Sequence, residues 1–298
     1  MKRFNFCLLL IFGMVLFSAC GSSEDDQKTE AEGSDQVDEA SEDDRWSEIQ
    51  ESGEIVVGTS GTLIAASFYD GEEESEDQLT GYDVEVMKEV AKRLDLDISF
   101  EIMGIDSMLP AIKSSRIDVA ANDIEVTENR QEEFNFSEPY KYSYTTMAVR
   151  TEDNSGIETL EDLEGKKAGG GATTIYSQIA EQFGAEVVTY GNAPNEAYLR
   201  DVHDSMTDVV INDYYLTKFG VAAFPDFDIQ LHPDLKFHPS EQAIIIPKDA
   251  DELTGKINGA LDEMREDGSL AELAEKFYEE DASVKPEGDI VEIEDLDI

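Results

Sequence analysis

The sequence has 298 residues, and its 69 acidic against 22 basic residues give a formal net charge of −47, which excludes nucleic-acid binding and attachment to anionic membranes through a basic patch. The two cysteines, Cys7 and Cys20, both lie near the N-terminus, so a disulfide scaffold is excluded as well. With 40% hydrophobic and 9% aromatic residues, the chain can still bury the core of one large or two smaller domains.

The first 20 residues have the pattern of an export signal. Lys2 and Arg3 precede an apolar run over 4–17, and a small-residue site ends at Cys20. The run is short for a helix that spans a bilayer, which needs about 20 residues, although a single N-terminal anchor remains the alternative. Ser18-Ala19-Cys20 resembles a bacterial lipobox, with Phe17 where Leu is usual. The resemblance implies that Cys20 becomes the lipidated N-terminus.

Residues 21–44 have the composition of a disordered tether. They carry eleven acidic residues and one lysine, and Val37 is the only apolar residue larger than alanine. Such a segment cannot bury enough surface to offset its backbone entropy. Subtracting +2 for 1–20 and −10 for 21–44 leaves −39 for the rest, so the acidity belongs to the folded body. Residues 279–298 form an acidic, weakly apolar tail that we expect to lie over the surface.

From residue 54 onward, short β-rich runs alternate with amphipathic helices. The helix from Asp83 to Leu94 has apolar residues at helical spacing, and Asp83 is its candidate N-cap. In chain order, the pattern predicts strands at 55–58, 98–102, 119–121, 144–149, 186–190, 209–211 and 243–246, and helices at 83–94, 107–114, 174–183, 195–203, 253–266 and 270–277. This alternation predicts an α/β protein with largely parallel sheets, in two halves split near residues 144–152.

Several blocks, in order, resemble the bacterial extracellular solute-binding proteins of family 3, which serve polar amino acid importers. The resemblance covers about 53–277 and is nearest to the cystine-binding branch. The matching blocks are Gly81–Leu94, Ile105–Ala111, Ile117–Asn122, Thr127–Gln131, Phe134–Tyr140 and Met264–Leu270.

The family implies the two-lobe, type II fold of periplasmic binding proteins, with two crossing hinge strands and the ligand between the lobes. Here the crossings fall near 144–149 and 241–247. Lobe 1 is then 54–146 plus 245–278, and lobe 2 is 147–244.

An amino acid zwitterion needs a cation and an anion that face each other across a dry cleft. Arg130 matches the family's carboxylate-binding arginine, and a guanidinium can bind a carboxylate through two hydrogen bonds. Asp213 follows a buried strand and matches the family's ammonium-binding aspartate. The alternative for both is an ordinary solvated side chain.

Further candidates follow from position. Thr173 and Thr174 open a helix after a glycine run, where backbone N–H groups favour an anion. The run is not a phosphate loop, because the Gly-Lys-Ser/Thr ending is absent. Asn122 follows a buried strand, at a sheet end where ligands bind. Ser60 and Leu63 complete the predicted ligand-binding set.

Four positions depart from the family. Leu63 and Ile105 stand where the family often has aromatic residues, which implies a wider or more aliphatic pocket. Asp123 is unusual, and Glu125 replaces the usual Ser or Thr. Two extra carboxylates would attract a cationic ligand and repel an acidic one, unless both simply face solvent.

The expected function is therefore the capture of a polar, cationic or zwitterionic amino acid by a monomer. Lobe closure would precede docking on a membrane permease driven by a cytoplasmic ATPase. We expect no enzymatic activity, no cofactor and no metal, since His203, His232 and His238 lack ligand spacing. The alternatives are a dehydratase of aromatic amino acid biosynthesis on the same fold, with Glu125 as general acid, or a receptor for an amino-acid-derived compatible solute.

The expected location is outside the cell, with a lipid at Cys20 anchoring the protein to the outer face of the cell membrane. The acidic excess suits a surface in high salt, where screening reduces repulsion between like charges.

Overall fold

The apolar and amphipathic segments of the sequence fold into two mixed sheets with helices packed against them, plus a small hairpin sheet. A computed structural model describes residues 44–71, 75–191, 193–293 and 296, all of which belong to one unit of the chain. The signal peptide (1–20), the lipidation site Cys20 and the tether (21–44) except Asp44 are predictions that lie outside the described residues.

Within those residues the helices are α1 (Asp44–Ser52), α2 (Tyr82–Arg93), α3 (Ile105–Lys113), α4 (Glu128–Glu133), α5 (Ile175–Gln182), α6 (Asn195–His203), α7 (Tyr214–Ala223), α8 (Asp251–Glu266) and α9 (Ser269–Tyr278). The strands are β1 (Glu54–Thr59), β2 (Thr62–Leu63), β3 (Ser67–Tyr69), β4 (Leu79–Thr80), β5 (Asp97–Ile102), β6 (Val119–Ala120), β7 (Phe134–Phe136), β8 (Lys141–Arg150), β9 (Lys167–Gly170), β10 (Glu186–Thr189), β11 (Val209–Asp213), β12 (Ile229–Leu231), β13 (Phe237–Gln242) and β14 (Ile245–Pro247).

Lobe 1 is built around a five-stranded sheet in the order β5-β1-β6-β14-β7. β1 pairs in parallel with β5 and β6, whereas β14 returns from the far end of the chain and pairs antiparallel with β6 and β7. Helices α2, α8 and α9 bury Tyr82, Leu261 and Tyr278 in one core cluster, and α3 buries Met108 and Ile112 in another. Each large apolar side chain contributes about 1.5–3 kcal/mol through such burial.

Lobe 2 is built around a sheet in the order β10-β9-β11-β8-β12, with β13 paired to β8. β9 is parallel to β10 and β11, and the long strand β8 is antiparallel to β11, β12 and β13. Ile175 and Ile179 of α5 pack into one core cluster of this lobe, and Leu199 and Val202 of α6 into a second. Both sheets are thus mixed, and the prediction of largely parallel sheets holds only for one side of each, β5-β1-β6 and β10-β9-β11.

Two chain crossings connect the lobes, as the fold class predicts. The chain passes from β7 into β8 and returns from β13 into β14, and the two crossing strands pair with each other. Lys141 lies opposite Gln242 and Tyr142 opposite Glu241 in this pairing. Residues at the start of β8 therefore lie where the lobes meet.

Several local features differ from the sequence predictions. The N-cap of α2 is Gly81 and not Asp83, whose carboxylate instead accepts a hydrogen bond from the backbone N–H of Asp123 at 2.6 Å. Gly81 has φ of 124°, and an added Cβ would lie 2.3 Å from the carbonyl oxygen of Ala66, so the turn requires glycine. Helix α1, which buries Trp46 in the core of lobe 1, and helix α7 were not predicted.

Candidate functional site

A cavity of about 1060 Å³, including its opening to solvent, lies between the two lobes. Lobe 1 lines it with the loop after β1, the loop after β6 and Arg130, and lobe 2 with the glycine run 169–171, the start of α5 and the end of β11. Polar loops at the ends of strands from both lobes thus face one enclosed space. This is the geometry of a site that closes around a small ligand.

Arg130 is held at the cavity by the loop that opens α4. Thr127 caps this helix by accepting a hydrogen bond from the Arg130 backbone N–H at 3.3 Å. The guanidinium donates through Nη1 to the carbonyl oxygen of Glu125 at 2.8 Å. Burial lowers the pKa of Arg130, which the charge of Glu125 partly offsets. Among the described residues, no carboxylate lies within 4.0 Å of this guanidinium, so its remaining donors are available to an anion.

Glu125 joins the cavity to the second crossing strand. Its Oε1 lies 2.6 Å from Nε2 of His238 in β13, and its backbone bridges to Gln242. The residue is only 4% exposed, and its Oε2 has no hydrogen-bond partner in the part of the chain that the structure describes. Glu125 therefore faces the cavity and not bulk solvent.

Asp123 and Asp213 are both buried, but only Asp123 lines the cavity. Lys141, which is fully buried, forms an ion pair with Asp123 Oδ1 and a second one with Asp213 Oδ1 at 2.9 Å. Asp213 also caps α7, since Oδ1 accepts from the Leu216 N–H at 3.1 Å. The aspartate predicted to bind an ammonium thus already has a lysine ammonium beside it.

Three further predicted residues lie on the lobe 1 wall. Asn122 accepts a hydrogen bond from the Ser60 backbone N–H at 2.9 Å through Oδ1, which connects the loops after β6 and β1. Ser60 accepts from the Thr62 hydroxyl at 3.1 Å, and Leu63 supplies an apolar surface. With Ile105 also on the wall, both positions that often carry an aromatic in the family present aliphatic side chains to the cavity.

The two threonines of lobe 2 have different positions. Thr174 lines the cavity and caps α5, its hydroxyl accepting from the Ser177 N–H at 3.3 Å. Thr173 is exposed and does not line the cavity. Its hydroxyl donates to Oδ1 of Asp106 in α3 at 2.5 Å, a contact between the two lobes at the rim.

Sequence patterns match a known family over most of the folded body. The sequence model of one family, the bacterial extracellular solute-binding proteins, family 3, matches residues 55–280. The chain belongs to this family.

Individual members of the family are similar over nearly the whole chain. The probable ABC transporter extracellular-binding protein YckB of Bacillus subtilis (strain 168) is 47% identical over 294 residues, covering 98% of this chain and 97% of its own. The crystal structure of YckB has a TM-score of 0.67 at 51% identity and covers 84% of this chain and 99% of its own. The L-cystine-binding protein TcyA of the same organism is 31% identical over 286 residues, 95% of this chain and 100% of its own.

A structure with a bound amino acid has the same fold. An ancestral arginine-binding protein bound to arginine has a TM-score of 0.68 at 29% identity and covers 76% of this chain and 98% of its own. These likenesses confirm the predicted family and the two-lobe fold class.

Three residues of this solute-binding protein were missed in the sequence. Lys141 stands at the crossing, His238 contacts Glu125, and Tyr176 lines the cavity with a hydroxyl that has no partner among the described residues. Tyr176 lies in the first turn of α5, just after the glycine run, and this position could have indicated a cavity residue from the sequence. The other two depend on strand pairing that no local pattern reveals.

The described residues hold no cluster of three or more His, Cys, Asp or Glu side chains suited to a metal ion. None of the described helices combines the length and the apolar character needed to cross a membrane.

Proposed function

We propose that this protein is the substrate-binding component of an importer for polar amino acids. It captures the amino acid between its lobes and delivers it to a membrane permease that a cytoplasmic ATPase drives. The observation that carries the proposal is the guanidinium of Arg130, which lines the cavity of a family 3 solute-binding protein with donors available for a carboxylate. The names of YckB and TcyA, both binding proteins, support binding without turnover.

The proposed ligand contacts come from both lobes. Arg130 binds the carboxylate, with the N-terminus of α5 at Thr174 beside it, and the buried acids facing the cavity bind the ammonium. Ser60, Asn122 and the aliphatic Leu63 contact the rest. Because these groups belong to different lobes, the ligand favours the closed form, and closure occurs about β8 and β13. We place the lobe boundaries at 54–146 plus 245–278 and at 147–244.

The proposed ligand class is a cationic or zwitterionic amino acid. The cavity holds two carboxylates, Asp123 and Glu125, against one arginine, so it disfavours a ligand with net negative charge. TcyA is named an L-cystine-binding protein and the ancestral protein was solved with arginine, and both ligands fit this class.

A thermal-shift screen tests the function and the class together. Purified full-length protein is heated with L-arginine, L-lysine, L-cystine or L-glutamate, and calorimetry follows for any amino acid that raises Tm. A ligand at 100 times its Kd adds about 2.7 kcal/mol of stability, a shift of several degrees. We expect stabilisation by at least one of the first three. Tight binding of L-glutamate would contradict the class, and stabilisation by no amino acid would contradict the function.

We also propose that the protein is an exported monomer with a lipid on Cys20 and an acidic tether between this cysteine and the folded body. Mass spectrometry of the N-terminal peptide tests the lipid.

For the folded body, we propose adaptation to high salt, since the net charge of −39 on residues 45–298 requires screening. Stability that does not fall at low salt counts against this.

A further inference from the structure

Lys141 places an ammonium of the protein itself at the junction of the two lobes. It starts β8, its side chain is 0% exposed, and it pairs with Asp123 of lobe 1 and with Asp213 of lobe 2 at 2.9 Å. The rings of Tyr215 and Tyr278 lie 5.4 Å and 5.2 Å from its Nζ and surround the charge further. The Lys141 ammonium is therefore held entirely by side chains of the protein itself.

The contacts of Asp213 are largely used within the protein. Oδ1 accepts from both Lys141 and the Leu216 N–H, and the residue is 0% exposed. Its Oδ2 has no partner among the described residues, but Asp213 does not line the cavity. A ligand ammonium at either Asp123 or Asp213 would share a carboxylate with Lys141, so the two aspartates differ in access to the cavity, which Asp213 lacks.

Asp123 is placed differently. It lines the cavity, it is 8% exposed, and its Oδ2 has no hydrogen-bond partner in the described part of the chain. Its backbone adopts φ of 53°, a left-handed conformation that an aspartate tolerates, and its N–H donates to Asp83 at 2.6 Å. Lys141 holds Oδ1, so backbone and side chain are both fixed, while Oδ2 is buried and lacks a partner among the described residues.

The buried charges around Lys141 do not balance. Asp83, Asp123 and Asp213 are all buried, and among the described residues Lys141, which pairs with Asp123 and Asp213, is the one basic side chain within 4.0 Å of any of these carboxylates. Burial, followed by the charge of Asp213, raises the pKa of Asp123, and burial raises the pKa of Asp83 to about 6. Buried carboxylates without a counter-charge are costly, so this cluster favours a second cation.

We propose that Asp123 binds the ligand ammonium through Oδ2, and that Asp213 instead anchors Lys141, the positioning residue that fixes Asp123. The neighbouring Oε2 of Glu125, also buried and unpartnered among the described residues, is the second acceptor. The inference rests on the proposed function. It makes Asp123 and Lys141 the residues that adapt this cavity to a ligand with a primary ammonium.

Two isosteric variants, D123N and D213N, separate the two aspartates. L-Arginine and L-cystine are titrated into the full-length native protein and into each variant by calorimetry. D123N should weaken binding about 10- to 100-fold, the effect of losing a hydrogen bond to a charged group. D213N should weaken binding less than D123N does, because it removes no ligand contact and acts only by loosening Lys141. The reverse order of the two effects would overturn the inference while leaving the function intact.

A deaminated probe distinguishes loss of the ammonium contact from general damage. The native protein should bind 5-guanidinopentanoate more weakly than L-arginine. This gap should vanish in D123N and persist in D213N, and circular dichroism checks that each variant is folded. If D123N does not fold, D213N alone decides, since a gap that vanishes there overturns the inference. If neither single variant folds, the D123N/K141M double variant, which neutralises this buried ion pair and leaves Asp213 in place, decides: the gap should vanish, and a gap that persists would overturn the inference.

The control for the function is the native protein itself. If it binds L-arginine, the deaminated comparison uses that pair, and if it binds only L-cystine, the comparison uses cystine and its di-deaminated analogue, 3,3′-dithiodipropionate. If the native protein binds only L-lysine, the comparison uses L-lysine and 6-aminohexanoate. If it binds none of the three amino acids, the proposed function fails first, and the assignment of Asp123 falls with it.

Discussion

At the level of single residues, several polar atoms around the cavity lack hydrogen-bond partners among the described residues. Oδ2 of Asp123, Oε2 of Glu125 and the Tyr176 hydroxyl are buried without partners among the described residues. A buried polar atom left unsatisfied costs about 1–3 kcal/mol. Native proteins keep few such atoms, and those that remain need an explanation. Their position on the wall of one cavity is explained if a bound ligand supplies the missing partners.

Tyr176 gives a prediction that separates binding from stability. The Y176F variant should bind its amino acid about 3- to 10-fold more weakly, because it removes one neutral hydrogen bond to the ligand. The Tm of the ligand-free protein should stay the same or rise, because the variant removes a buried hydroxyl that has no partner among the described residues. Calorimetry and thermal unfolding measure the two effects.

Y190F is the matched control for this prediction. The Tyr190 hydroxyl donates to Asp201 at 2.5 Å and Tyr190 does not line the cavity, so this variant should lose stability and keep its affinity. If Y176F instead behaves like Y190F, the Tyr176 hydroxyl does not contact the ligand.

At the level of elements, the segment after α9 attaches to both crossing strands. The backbone N–H of Tyr142 in β8 donates to the carbonyl oxygen of Ala282 at 2.8 Å. The backbone N–H of His238 in β13 donates to the carbonyl oxygen of Val291 at 2.7 Å. Ala282 is fully buried, and Ile293 packs against the core of lobe 2. The described part of the predicted acidic tail thus forms a third connection between α9 of lobe 1 and lobe 2.

Removing residues 281–298 should lower the free energy of unfolding by about 3 kcal/mol. It removes the two backbone hydrogen bonds above and a third, which the Val291 N–H donates to the carbonyl oxygen of Lys236 at 3.1 Å, at about 1 kcal/mol each. Urea unfolding of the full chain and the truncated chain measures the difference. The control is K285A, which removes an exposed ion pair with Glu241 at 2.7 Å and a contact of the ammonium with the Tyr142 ring at 5.5 Å, and which should change stability by less than about 1 kcal/mol. A truncated chain as stable as the full chain would show that the segment only rests on the surface.

Elements with a strong local pattern could be predicted from the sequence. The apolar run of β1 and the helical spacing of α2 lead to the observed elements within one or two residues at each end. Helix α1 was missed because its mean hydropathy is low and only Trp46 and Ile49 are buried. β13 contains Pro239 and pairs across a bulge, so its assignment depends on β8 and not on its own residues.

For the molecule as a whole, the family blocks predicted the two-lobe fold and the position of Arg130 at the cleft. They could not predict the environment of Asp213, because its partner Lys141 lies 72 residues earlier in the chain and the third member, Asp123, another 18 residues before that. An isolated acid among 69 looks the same in the sequence whether it faces water, a ligand or a lysine. Only the folded chain distinguishes these environments.

The central claim is that this protein binds an amino acid by its carboxylate through Arg130. The most direct test is a calorimetric titration of native and R130Q proteins with the amino acid that stabilises most in the screen and with its α-carboxamide. The native protein should bind the amide about 10- to 100-fold more weakly, because a charged pair becomes a neutral contact. R130Q should discriminate little between the two. Equal affinity of the native protein for the acid and the amide would contradict the account.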